Sequence, residues 1–193
     1  MNKLYFKKLI GLILIALGIG ALFSSIGLNL RQNALKKAAL QQFKEQIENN
    51  QVAVPTSGNP AVEGDVLYIL RIPAIDSENP VREGISRGVL ADSLGHDSST
   101  GYVGEEGNCV IAGHRNYTFG KFFNRLDEVK ENDFIYVDTA EDTYTYVVTE
   151  IKVVEPDDLS VLEDTPGKDQ LTLYTCTPIY VASHRLVIIA ERM

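Results

Sequence analysis

Between Lys8 and Arg31 the chain carries 22 residues without a charge, LIGLILIALGIGALFSSIGLNL. As an α-helix at about 1.5 Å per residue, this run is about 33 Å long, enough to cross a bilayer. It is longer than the apolar core of a secretory signal, and Ala21-Leu22-Phe23 lacks the small-x-small pattern of a cleavage site. Residues 9–30 therefore read as a retained transmembrane anchor behind a short tail, residues 1–8. Lys3, Lys7 and Lys8 precede the run and Arg31, Lys36 and Lys37 follow it, so positive charge hardly distinguishes the two sides. Charge does divide the chain lengthwise: the first fifty residues hold seven basic and two acidic groups, and the remainder eleven and twenty-four. An acidic body without a Lys/Arg run repels phosphate backbones, which sets nucleic-acid binding aside.

Behind the anchor, Leu35, Ala39, Phe43 and Ile47 recur every four residues in NALKKAALQQFKEQIEN, the spacing of an amphipathic helix. The segment VAVPTSGNPAVEGD then offers two prolines, two glycines and no period, so residues 31–63 read as a helical stalk and linker. From Val66 onward the apolar residues fall in short β-branched and aromatic runs, VLYILRI, NCVIAG, DFIYVD, TYTYVVTEIKVV, QLTLYT and RLVIIA, separated by Gly, Pro, Asp and Asn. Six strands is the minimum, with short helical turns expected in ISRGVLADSL and KFFNRLDEV. So many strands in one modest domain must hide their edges, which predicts a mostly β fold closed into a barrel.

Chemistry is confined to few residues. His114 leaves the strand CVIAG behind a glycine, Cys176 ends LTLYT, and Arg185 opens the last strand nine residues later. If the last two strands pair antiparallel, Cys176 and Arg185 lie opposite or nearly so. A thiolate attacks a carbonyl, an imidazole trades protons with sulfur and leaving amine, and a guanidinium holds a developing oxyanion; together they form an acyl-transfer set. A competing reading joins Cys109 to Cys176 in a disulfide, closing a loop of nearly seventy residues. That would stabilise by about 4 kcal/mol and leave a non-enzymatic anchored β-domain. His96, read as a loop residue in DSLGHDSSTG, His114 and His184 are not spaced as a metal set, and neither metal nor cofactor is expected.

AGHRN, LTLYTCTP and SHRLVIIAER, in that order behind an N-terminal anchor, resemble the signatures of sortases, the cysteine transpeptidases of Gram-positive cell surfaces. The resemblance spans residues 64–192 and implies the eight-stranded sortase barrel, with residues 64–193 as a catalytic domain outside the cell membrane and the N-terminus cytoplasmic. It implies Cys176 as nucleophile, His114 as catalytic histidine and Arg185 as the arginine. Ala112 would floor the groove, Thr175 would support the site, and Leu159, Val161 and Leu162 would wall the apolar end. The implied reaction cleaves an LPxTG-like sorting signal between Thr and Gly through a thioester. It then passes the protein to a cell-wall amine on peptidoglycan or a lipid-linked precursor. No Asp-Pro-aromatic lid precedes the barrel, so the chain looks most like a class D type sortase.

Overall fold

The uncharged run lies inside one helix, α1 (Lys3–Glu48), in the computed structural model, which describes residues 3–48, 55–115 and 122–193. The chain divides into two units, Met1–Lys37 and Ala38–Met193. In the first, Leu12, Leu14, Ile15, Leu17, Leu22 and Phe23 are all exposed. Apolar residues on every side suit hydrocarbon rather than water, and the helix is long and apolar enough to cross a membrane. Part of the expected stalk and linker, residues 49–54, lies outside the described residues, as do Asn116 of the AGHRN motif and Lys121.

The second unit contains β1 (Val66–Ile72), β2 (Ser77–Glu83), α2 (Arg87–Leu90), β3 (Leu94–His96), β4 (Gly107–Ala112), β5 (Phe134–Asp138), β6 (Thr143–Val154), β7 (Asp169–Thr177) and β8 (His184–Arg192). They close into a barrel in the order β1-β2-β3-β4-β7-β8-β6-β5, with β1 against β5 completing the ring. All six runs picked out by β-branched and aromatic residues are strands. The turns expected in ISRGVLADSL and KFFNRLDEV appear as α2 and a 3-10 turn, Leu126–Glu128.

Two further strands, which no apolar run marks, complete the eight that the resemblance implies. β2 contains Pro80, which opposes Ile69 of β1, while pairing to β3 starts only at Val81; the missing N–H thus costs no ladder bond on that side. β3 is only three residues long and is held by neighbours, parallel to β2 and antiparallel to β4. The barrel interior is filled by alternate residues: Leu70 and Ile72 of β1, Ile111 of β4, Tyr146 and Val148 of β6, Leu171 and Leu173 of β7, and Ile188 and Ala190 of β8. The other face of β1 is covered as well, by the last turns of α1. Phe43 is fully buried there against Val66 and Ile69, with Leu40 and Ile47 beside it.

His96 is the main local correction. It belongs to β3 rather than to a loop and is fully buried. Its Nδ1 lies 3.0 Å from Glu83 Oε2 and its Nε2 2.9 Å from Gly101 O. Both partners only accept, so both ring nitrogens donate and the ring is an imidazolium. The Tyr102 ring packs on it at 4.7 Å, and the Tyr102 hydroxyl donates to the same Glu83 oxygen at 3.3 Å. Burial opposes the charge, but the Cys109 and Glu83 side chains and the Gly101 carbonyl more than offset it and push the pKa up to about 10.

Candidate active site

β4 and β7 run side by side in parallel, with Cys109 against Leu171 and Ala112 against Tyr174. Their last backbone contact is Gly113 N–H to Tyr174 O at 3.1 Å. His114 and Cys176 each stand two residues beyond the final pair, so they leave the ladder together at one rim. β8 lies antiparallel on the far side of β7, and its register sets Cys176 directly opposite Arg185. Three neighbouring strands thereby gather the thiol, the imidazole and the guanidinium, with His114 exposed and the other two half-buried.

Gly113 is required by close approach rather than by a sharp turn. A Cβ there would lie 2.5 Å from Phe123 Cδ2 and 2.6 Å from Leu94 Cδ2, so any side chain would push β4 out of the rim. Thr175 is buried, and its hydroxyl donates to Gly113 O at 2.7 Å. Ala112 is buried between Gly95 and Tyr174. These two residues, expected to meet substrate, do not line the cleft described next; they support it from within the strands.

Beside the rim is a cleft of about 270 Å³. Its apolar lining includes Ile85, Val154, Leu159, Val161 and Leu162, and its polar lining includes Asp97, Tyr174 and Arg185. Leu159–Leu162 forms a 3-10 turn capped by Asp158, whose carboxylate accepts from Ser160 N at 3.0 Å. Asn108 of β4 fastens this loop over the sheet, its Nδ2 donating to Val161 O at 3.0 Å and Glu163 O at 3.2 Å. The three residues expected to wall the groove are thus brought to the same cleft as Arg185.

Tyr174 and Asp97 were not singled out from sequence. Strand alternation alone places Tyr174 on the face of Cys176, two residues away, so the signal was present. Burial raises the Tyr174 pKa, the Asp97 and Cys176 charges reinforce the shift, and Arg185 opposes it. Asp97 follows β3, with Oδ1 accepting from Ser99 N at 3.1 Å and Ser99 Oγ at 2.7 Å. Only the barrel's register brings it to the cleft, and no local pattern reveals it.

The disulfide alternative is overturned. Cys109 opposes Leu171, five residues before Cys176 on the same strand. At about 3.3 Å per residue that is roughly 16 Å, whereas a bridge needs Cα atoms within about 7 Å. Both cysteines are free, and burial pushes the Cys109 thiol up while His96 beside it opposes the shift. Nor do the histidines converge: His96 is in the core with Glu83, and His184 bonds Ser183 Oγ at 2.8 Å and faces Glu155 at 3.3 Å. Half-buried Glu105 accepts from the Ser57 hydroxyl at 2.6 Å, and exposed Glu106 from Gly167 N at 2.8 Å.

A closed barrel with this rim has known counterparts, and the Sortase domain family model matches residues 70–193. The chain belongs to the sortase family. This sortase is 31% identical over 201 residues to Sortase D of Bacillus subtilis, a match covering 97% of this chain and 99% of that one. It is 32% identical over 128 residues to Sortase A of Streptococcus agalactiae, covering 63% of this chain and only 51% of the longer relative. Among solved structures it resembles a Clostridium perfringens Sortase D5 transpeptidase, with a TM-score of 0.72 and 28% identity over 83% of this chain and 99% of that one. Sortases are cysteine transpeptidases, and the family's barrel is the fold seen here.

Proposed function

We propose that this sortase uses Cys176, His114 and Arg185 to cleave an LPxTG-like sorting signal between Thr and Gly and to join the protein to a cell-wall amine. The Cys176 thiolate attacks the Thr carbonyl carbon; the S–C bond forms and negative charge moves onto the oxygen. Arg185, opposite the sulfur, holds that charge. The tetrahedral adduct collapses, the C–N bond to Gly breaks, and His114 supplies the proton that leaves with the amine. An acceptor amine on peptidoglycan or a lipid-linked precursor then attacks the thioester, gives up a proton to His114 and returns the thiolate. Leu159, Val161 and Leu162 form the apolar wall for the Leu-Pro part of the signal, while Ala112 and Thr175 keep the floor and the β4 exit in place. The observation that carries this reading is the joint register, in which Cys176 opposes Arg185 and shares the rim with His114.

The same reading assigns residues 1–8 to a cytoplasmic tail, 9–30 to a membrane span, 31–63 to stalk and linker, and 64–193 to an external catalytic domain. Its partners are proteins bearing the sorting signal, the acceptor amine and the membrane, and no nucleic acid. The test is the intact mass of the chain after incubation with an LPxTG peptide. The expected result is an acyl adduct mapped by digestion to Cys176, which Cys176→Ala abolishes. An adduct elsewhere, or none with the wild type, overturns it.

A further inference from the structure

What fixes His114 against Cys176 is not the sheet. Beyond Ala112 and Tyr174 the β4–β7 ladder has ended, whereas Cys176 and Thr177 remain paired with Arg185 and His184 of β8. The nucleophile therefore sits on a held strand and His114 on a departing one. Two side-chain ties cross the gap. Thr175, just before Cys176, donates to the carbonyl of Gly113, just before His114. Arg115, just after His114, donates through Nη1 to the hydroxyl of Thr177, just after Cys176, at 2.8 Å. The histidine and the cysteine are bracketed on both sides.

Arg115 also reaches a second anchor. Its Nη2 lies 2.7 Å from Asp127 Oδ2. Asp127 belongs to the 3-10 turn Leu126–Glu128, which is rooted in the core by fully buried Leu126 and preceded by Arg125, bonded to Ile75 O at 2.9 Å. One planar guanidinium spans both acceptors, a task that suits arginine and not lysine. The arrangement has a cost. The Arg115 side chain is only 9% exposed, and its buried Nε has no acceptor among the described residues. An orphaned buried donor destabilises the fold, and an apolar side chain would fill the same space without it.

We propose that Arg115 is a positioning residue of this sortase, tying the exit of β4 to the strand that carries the nucleophile so that His114 meets Cys176 at a fixed approach. The inference rests on the assignment of His114 and Cys176 made above. It makes Thr177 and Asp127 parts of the device, with Thr177 holding the near end and Asp127 the far end.

The test uses the full chain in detergent and reads the rate of Cys176 alkylation by iodoacetamide from pH 5 to 10, with Cys176→Ala as the blank. His114→Ala is expected to change the pH profile, since a thiol coupled to an imidazole titrates with it. Arg115→Met and Thr177→Val are expected to shift the profile in the same direction while the melting temperature holds. Thr177→Ser, which keeps the hydroxyl, is expected to recover the wild-type profile, and Arg115→Lys is not. With a quenched LPxTG peptide and hydroxylamine as acceptor, kcat of Arg115→Met falls by about ten- to a hundredfold with KM nearly unchanged, the size of loss that slight misplacement causes. A wild-type pH profile in Arg115→Met, alongside an altered one in His114→Ala, overturns the role of Arg115 alone. A loss that merely follows a fall in melting temperature overturns it too. If His114→Ala leaves the profile unchanged, the His–Cys assignment fails, and the positioning role fails with it.

Discussion

Arg185 faces the sulfur across a strand pair, and its value there depends on shape as much as on charge. An ammonium has the charge but lacks the planar fork, and it is more strongly hydrated. Arg185→Lys is therefore expected to lower kcat/KM by about 100-fold or more, as losing an oxyanion donor does; near-normal turnover of an LPxTG peptide would show that charge alone suffices. His96 carries a different expectation. Its pKa, pushed up to about 10, lies above the 6.5 of an ordinary histidine, so the stability it contributes is complete below about pH 6.5 and is lost as pH rises through about 10. Denaturant midpoints measured from pH 6 to 10 should decline, and His96→Gln should flatten the slope. At this scale the sequence displayed the groups proposed to do the chemistry, because Cys, His and Arg at strand ends are an unusual trio. It concealed the groups that act through register. Thr175 resembles a substrate contact until strand alternation turns it inward to Gly113, and Arg115 has no local signature beyond following a histidine.

The strands with continuous or alternating apolar residues were legible because burial writes their period directly, as in Tyr146 and Val148 of β6. β2 and β3 were not, since a proline and a three-residue length leave no period to read; their neighbours supply the pairing. The tail of α1 is the third case. Its spacing announced an amphipathic helix but not what the apolar stripe would meet, and the answer is the outer face of β1. Phe43→Ala should then destabilise the barrel unit by about 3–5 kcal/mol, the usual cost of emptying a buried phenylalanine site. Leu35→Ala, at an exposed position on the same helix, should change it by less than about 0.5 kcal/mol. Equal denaturant midpoints for the two variants would mean that Phe43 contributes no packing to the barrel.

At the scale of the whole molecule, a positively charged N-terminal segment with an uncharged run precedes a strongly acidic barrel. A helix apolar on every side holds a membrane by hydrocarbon contact and not by charge. The chain should therefore stay in the pellet through high salt and alkaline carbonate and leave it only with detergent; release by salt would mean a peripheral attachment. Barrel closure was legible as a need to hide strand edges, but the strand order was not, because β8 enters between β6 and β7 and nothing local marks that slot. That slot governs timing. A chain is made from its N-terminus onward, so His114 and Cys176 both exist while β7 still has an open side and no arginine faces the sulfur. The final strand completes the sheet and supplies the cation in one event. Until then the growing polypeptide carries Cys176 without the arginine that the register sets opposite it, so the proposed acyl transfer has to wait for the strand that is made last.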